Sequence, residues 1–562
     1  SQSNPGQGRH EPSKPASADH PMLLCTMILH MKRIGLLAII VLAAFLLGCG
    51  KQHPGVQASN GNTLRYAIIN DPTDLDPARV QDGDTIDLLQ NIFEGLVTWS
   101  EQKDGNKIVP NLAQSWDVSK DGCTYTFHLK HGVKFQNGRE VTASDVAFSL
   151  NRAVAPAMAS ATVDDYLSPI AGYADAHSGK TATLSGVKVI DNYTVSITTD
   201  KPRPYFLGDL TYPAAFVVAK EAAGTGKMTS LKQMVGTGPF IADSYAEGEI
   251  FKLKAFKDYH EGAPHVDGID RPIMKDALSR FNAYKRGELD FLPIQRQDIR
   301  AAMADPTLKS QLQFFPRASI YYVGLNLGKV VQFKDKRVRQ AFAMAIDKDK
   351  IVNDILDGQN PAAYSFLPPG VLRYRQKAAV YPFDPKQAQA LMAQAGYPGG
   401  KGFPELKISF RGEQTDVQLV ADNVAQQLHD NLGITVSQEP MEWGSYLARN
   451  DKKELPFFHM RWAADYLDPQ DFISLFFTTS GNENKIYYSN PEVDALCAKA
   501  DSDLNQDERL QLYAKAEDIV LQDAPVIPIY FQVDAELINP RVHGLRNSIF
   551  GHLPHYTVSL EK

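Results

Sequence analysis

Apolar residues along this chain recur with two different periods, and the change between them divides it. Leu64-Arg65-Tyr66-Ala67-Ile68-Ile69 reads as a first strand, stopped by the turn residues Asn70-Asp71-Pro72. Ile86, Leu89, Ile92, Phe93 and Leu96 then recur at helical spacing and predict a helix with one buried face. Thr124 to Leu129 alternates with period two, placing Tyr125, Phe127 and Leu129 on one side of a strand. Val133 and Phe135 predict a second short strand before the turn Asn137-Gly138. Thr142-Ala143-Ser144-Asp145 has the spacing of a capping box and opens a helix through Val146 and Phe148 to Arg152. Val187–Ile190 and Tyr193–Ile197 flank Asp191-Asn192 as a hairpin, so the first third is β-rich with a few helices.

From Asp335 the pattern becomes helices alternating with strands. Val338, Ala341, Phe342, Ala345 and Ile346 form one helical stripe with Asp335 as its N-cap. Asp384-Pro385 opens a helix over 388–395 that Gly396 closes, and Leu406–Phe410 is a strand. Val417, Val420, Val424 and Leu428 carry a helix ended by Gly433, and Ile434-Thr435-Val436 is again a strand. This rhythm predicts an α/β lobe. The last helix, Leu510 to Leu521, leads into Pro525–Phe531, a stretch suited to crossing back to the first lobe.

Composition sets the scale. A chain of 562 residues, 43% of them apolar, exceeds what one core usually holds, so two or three lobes are expected. A formal net charge of −7 speaks against a nucleic-acid binder. Residues 1–30 are polar and lack an apolar period, and they precede what reads as a complete export signal; Met31 is the expected start. Met31-Lys32-Arg33 is a short basic region, Ile34 to Leu47 an apolar run too short to span a bilayer, and Leu46-Leu47-Gly48-Cys49 its end. That end resembles the lipobox of bacterial lipoproteins, which implies lipidation of Cys49 and residues 49–62 as a tether. Cys123 and Cys497 then remain, far apart and without C-x-x-C or metal-ligand spacing; they are expected as two structural thiols.

Candidate chemistry mostly fails on inspection. Gly224-Thr225-Gly226-Lys227 invites a phosphate-loop reading, but Glu221 and Met228 stand where that pattern needs Gly and Ser or Thr. Gly236-Thr237-Gly238 lacks the third glycine of a dinucleotide fingerprint, because Ile241 holds the place. There is no G-x-S-x-G, and His260-Glu261 lacks the second His of a zinc helix. The 14 His residues are scattered, and His128 is expected on an exposed strand face. With no nucleophile, metal cage or cofactor cradle, the weight moves from enzyme to binding protein. One stretch stands out, Arg461-Trp462-Ala463-Ala464-Asp465-Tyr466-Leu467-Asp468-Pro469. An apolar wall at Trp462, bare backbone at Ala463 and Ala464, and a fixed charge at Asp465 suit an extended ligand. A strand end followed by an Asp-Pro turn accounts for the same residues.

Several segments in order resemble bacterial solute-binding proteins of the peptide/nickel class of ABC importers. They are Leu75-Asp76-Pro77 with Phe93–Leu96, Pro110–Trp116, Asp121–Leu129, Gly132–Gly138, Thr142–Val146, Val235–Pro239, Arg337–Phe342 with Ala345–Asp347, Ala464–Tyr466 with Asp468-Pro469, and Ala524–Pro528. The match runs from about residue 62 to the end. The resemblance implies an α/β, two-lobed periplasmic binding protein fold, type II-like, with an extra inserted domain and mixed sheets flanked by helices. It places 63–95, 186–268 and 523–562 in the first lobe, 96–185 in the inserted domain and 269–522 in the second lobe. It implies a lipid-anchored monomer on the periplasmic or cell-surface side of a bacterial membrane. Such a protein captures peptides between its lobes and delivers them to ABC importer permease subunits, with no enzyme activity, cofactor or nucleic acid.

By the same resemblance Asp465 holds the ligand's α-amino group, the backbone at Trp462, Ala463 and Ala464 pairs with the peptide as an added strand, and Gln81-Asp82-Gly83 pairs with it from the other lobe. This chain departs from the family at Arg461, where relatives carry Gly, and at Asn450 and His459, where relatives carry residues gripping the peptide C-terminus. Arg461 turned into the cleft would hold a ligand carboxylate and favour short or acidic peptides. Asp465 speaks against the nickel-binding branch. The alternatives are the same fold with a nickel chelate, opine, haem or oligosaccharide, a secreted hydrolase, or a peptide-binding sensor without transport.

Overall fold

The computed structural model describes residues 61–376, 378 and 381–561. The expected signal run, Cys49 and all of the tether but its last two residues lie outside them. Asn62, expected in that tether, is already tied down: its side chain donates to the His265 carbonyl at 2.8 Å.

Along the chain come β1 (Thr63–Arg65), α1 (Gly83–Leu89), the ribbon β2 (Val97–Trp99) and β3 (Ile108–Pro110), then β4 (Ala113–Val118), β5 (Thr124–Leu129) and α2 (Ala143–Val154). The hairpin β6 (Val187–Asp191) and β7 (Thr194–Thr198) follows, then β8 (Phe240–Ala246), β9 (Ile250–Ala255) and β10 (Gly268–Pro272). After β11 (Phe291–Ile294) and β12 (Leu312–Leu325) come α3 (Lys336–Ala345), α4 (Pro385–Gln394), β13 (Leu406–Arg411), α5 (Thr415–Leu432), β14 (Val436–Met441), α6 (Trp443–Asp451) and β15 (Phe457–Ala463). The chain ends with α7 (Pro491–Ala500), α8 (Gln506–Asp523), β16 (Val526–Ile538), β17 (Val542–His543) and β18 (Ser559–Leu560).

The first lobe holds two four-stranded sheets, β1-β10-β9-β8 and β4-β5-β7-β6. In β5 the alternation buries Tyr125, Phe127 and Leu129, and α2 covers that face with Val146 and Leu150. Its capping box forms as read: the Thr142 N–H donates to Asp145 Oδ2 at 2.9 Å. The β6–β7 hairpin, expected in the first lobe's own section, instead pairs with β5 and completes the sheet of the inserted segment. A strand edge as regular as β5 takes the nearest alternating hairpin, whatever division of the chain is drawn. Val133 and Phe135 flank only an isolated bridge, Lys134 with Glu140. The helix expected through Leu96 stops at Leu89, because Ile92 and Glu94 turn their carbonyls to Gly238 and Val217.

The second lobe is built on a six-stranded mixed sheet, β11-β16-β12-β15-β13-β14. Helices α3, α4 and α5 cover one face with Val338, Phe342, Met392, Val420 and Leu428; α7 and α8 cover the other with Val493, Tyr513 and Val520. Asp335 caps α3, and Gly433 ends α5 with a φ of 69°, the left-handed value that glycine tolerates without strain. The final strand of this run starts at Val436, two residues later than its apolar run suggests. Pro525–Phe531 does not cross back to the first lobe: β16 runs through the middle of this sheet, antiparallel to β11 and β12. The crossing comes after Ile538, where Val542 and Val558 enter the first lobe's core. Cys123 and Cys497 are both free.

Two Leu-Asp-Pro segments do the same work in the two lobes. Asp76 receives both Nη groups of Arg152, at 3.0 and 2.5 Å, and the Met228 N–H at 2.9 Å. Asp468 receives both Nη groups of Arg509, at 2.6 and 2.5 Å. Both arginines are buried, and each bidentate pair fixes a loop to a helix.

Candidate functional site

A cavity of about 760 Å³ is lined by residues of both lobes. Strand β15 delivers one wall. Its period of two turns Arg461 and Ala463 to the cavity, while Trp462 packs edge-on against Phe476 at 4.8 Å on the other side of the sheet. The apolar wall expected at Trp462 is therefore core beneath the site and not its lining. Ala464 is also less bare than its sequence suggests: its N–H donates to the Ala318 carbonyl at 2.7 Å. Because bonding alternates along an antiparallel pair, the main-chain groups of Arg461 and Ala463 face the opposite edge. There β13 registers with β15 only at Ser409–Phe458, which leaves that edge open beside the cavity.

Asp465 follows directly. Its N–H donates to Asp471 Oδ2 at 3.0 Å, which pins the turn, and its Oδ2 accepts from the Tyr166 hydroxyl of the other lobe. Tyr166 is fixed by stacking on Tyr212, with ring centroids 3.7 Å apart. Although part of the Asp465 carboxyl faces the cavity, burial pushes it up to about 7; the Tyr166 hydroxyl and Arg461 pull it down, and Glu483 pushes it up. A fixed carboxyl short of positive charge is a receptor for a cation.

The facing segment of the first lobe lines the cavity at Asp82 and Gly83. Asp82 is the N-cap of α1, accepting from the Thr85 N–H at 3.0 Å and from the Thr73 hydroxyl, so its carboxylate is engaged in holding the helix start. Gln81 does not line the cavity. Gly83 does, and a side chain there would meet Arg461, whose Nη2 lies 3.7 Å from the place of its Cβ.

Arg461 points into the cleft and spends one donor on Gln532 Oε1 at 3.2 Å. Beside it stands Arg411, which motif reading missed. Its guanidinium lies over Trp443, 4.8 Å from the ring centre, and its nearest carboxylates, Glu413 and Asp84, are 3.5 and 4.0 Å away. Its Nε and Nη2 are buried without a hydrogen bond. The signal available in the sequence was positional: Arg411 ends a strand of the parallel part of the sheet, where α/β proteins place ligands. His459 and Asn450 are buried away from the cavity, and burial holds His459 down at about 4.

A profile of the family "Bacterial extracellular solute-binding proteins, family 5 Middle" matches residues 107–484. Heme-binding protein A of Haemophilus influenzae is 31% identical over 525 residues, 90% of this chain and 93% of that protein. The periplasmic oligopeptide-binding protein OppA of Salmonella typhimurium is 29% identical over 513 residues, 87% of this chain and 91% of that one. Among solved structures, the murein tripeptide binding protein MppA of Escherichia coli is similar with a TM-score of 0.80 and 26% identity, covering 90% of this chain and 99% of that one. Its unliganded open form gives 0.66 at the same identity, covering 89% and 98%. On the profile and on the end-to-end span of these relatives, the chain belongs to the bacterial extracellular solute-binding proteins, family 5.

Proposed function

We propose that this protein captures short peptides between its lobes and delivers them to the permease of an ABC importer, as a monomer held to the membrane by lipid on Cys49. The observation that carries the reading is the placement of Asp465, the open edge of Arg461 and Ala463, and Arg411 around one cavity. A peptide's ammonium meets Asp465, its backbone adds to the open edge of β15, and its carboxylate meets Arg461 and Arg411. Main-chain pairing gives affinity without reading side chains, and the two arginines stand in for the cations that relatives carry at positions 450 and 459. The peptide names of relatives such as OppA support the same ligand class. A second reading rests on the haem-binding relative, with haem carboxylates on the same arginines.

Titration calorimetry with Ala-Ala-Ala and its C-terminal amide tests this. The free acid is expected to bind at least tenfold more tightly, because a charged hydrogen bond contributes about 1.5–3 kcal/mol. Arg461→Ala or Arg411→Ala should narrow that gap. Failure of the wild-type protein to bind either peptide, with haem co-purifying instead, would overturn the reading in favour of the second.

A pH effect follows from Asp465. Its carboxyl is raised, so the empty closed cleft takes up a proton that the open, hydrated cleft releases. Empty closure is therefore favoured at low pH and lost progressively as the pH rises from the ordinary carboxylate range to about 7. Asp165 and Asp471, both buried at the same seam, are pushed up in the same way. Small-angle scattering of the ligand-free protein should show a larger radius of gyration at pH 8.5 than at pH 5.5. Asp465→Asn should reduce the difference; an identical pH response in that variant would contradict the assignment.

A further inference from the structure

Resting on the peptide reading, we propose that a hairpin near the C-terminus and Trp99 form a side-chain pocket that selects an apolar, preferably aromatic residue at the amino end of the ligand.

The hairpin runs from Arg546 to Leu553. Its rungs are the bridge Asn547–His552 and the bond from the Ser548 N–H to the Gly551 carbonyl at 2.8 Å, which leaves Ile549 and Phe550 at the tip. The tip is gripped from both lobes. From the first, the Gln102 N–H donates to the Asn547 carbonyl at 2.9 Å, and the Asn106 side chain accepts from the Ile549 N–H at 3.3 Å. From the second, Arg317 Nη1 donates to the Ser548 carbonyl at 2.9 Å and the Ala318 N–H to the Ile549 carbonyl at 3.3 Å. The Ile549 side chain is buried in the second lobe's core, so the tip is not free to swing aside.

Its position relative to the ammonium site follows from one residue. Ala318 donates to the Ile549 carbonyl and accepts from the Ala464 N–H, so a single residue links the tip to the end of β15. One residue thus separates the tip from Ala464, the neighbour of Asp465, which puts it within reach of a large side chain on a ligand anchored there. Phe550 meets Trp99 there, with ring centroids 4.8 Å apart and planes at 41°. The Trp99 Nε1–H is spent on Thr211 Oγ1 at 3.0 Å, so the indole offers the cavity only its apolar surface. Both rings are half-buried and line the cavity, flanked by Val109 and Pro110. An aromatic side chain entering there gains stacking contact from two rings already held in place.

The probes are Phe-Ala-Ala, Ala-Phe-Ala and Ala-Ala-Ala, measured by titration calorimetry on the wild type and on the variants Phe550→Ala, Phe550→Leu and Trp99→Ala. The wild type is expected to prefer one of the two Phe peptides over Ala-Ala-Ala by about tenfold. Phe550→Ala and Trp99→Ala should shrink that ratio to within about twofold, with Phe550→Leu intermediate. Thermal melts identify any variant that fails to fold, and Phe550→Leu keeps the test valid should Phe550→Ala do so. Peptide binding in the wild type without preference for Phe, or with a ratio unmoved by the folded variants, overturns the pocket and leaves the peptide reading standing. Absence of binding to all three peptides overturns both.

Discussion

Asp465→Ala should all but abolish peptide binding while leaving the fold intact. The side chain makes one hydrogen bond, to Tyr166, and supports no buried arginine, so its loss costs the empty protein little. The liganded protein loses the partner of an ammonium sealed between the lobes. Removing one member of a buried ion pair costs about 3–5 kcal/mol, roughly two to three and a half orders of magnitude in Kd. Asp465→Asn should lose nearly as much, because the amide cannot offset the charge. An N-acetylated peptide, which carries no ammonium, should bind wild type and Asp465→Ala alike. Titration calorimetry with the free and acetylated peptides separates these cases. Tight binding of the free peptide by Asp465→Ala would move the anchor elsewhere.

The second large effect is on stability. Asp468→Ala would leave the Arg509 guanidinium, buried against Tyr513, with both Nη groups deprived of their carboxylate. The expected cost is again about 3–5 kcal/mol, since the stranded cation has neither water nor a counterion. In a lobe of this size that lowers the melting temperature by roughly 10 °C. Calorimetry should show the fall in the second lobe's transition, and Asp468→Ala combined with Arg509→Leu should recover much of it. The matching change in the first lobe, Asp76→Ala, strands Arg152 in the same way and should act on the other transition. A melt of Asp468→Ala that coincides with the wild type would show that the pair contributes nothing.

Local periodicity carried most of the element list. The alternation in β5, the capping box at Thr142 and the stripe of α3 are decided by neighbours in sequence, and each formed as read. What sequence could not supply was partnership across distance. Nothing in Pro525–Phe531 distinguishes a strand that crosses between lobes from one that lies between β11 and β12, because both need an apolar run. At the site, Trp462 read as a wall because it is large, but the parity of β15 assigns it to the opposite face from Arg461. Asp82, expected as a ligand residue, lines the cavity and also caps a helix, a second role that Asp before Gly does not announce. Arg411, Phe550 and Tyr166 belong to no shared motif; the first two line the cavity and Tyr166 holds Asp465 beside it only because remote segments converge there.

The placement of β16 bears on how the protein comes to be folded at all. The middle of the second lobe's sheet is supplied by residues 526–538, and Val542 and Val558 close the core of the first. Neither hydrophobic core can therefore be completed by a chain that has emerged only as far as α8. During synthesis, these two cores wait on the same last few dozen residues, whereas the core under the sheet β4-β5-β7-β6 is drawn almost wholly from residues 78–219. A nascent chain of this kind can assemble that early sheet first, but it leaves the other two cores unfinished until its last residues emerge.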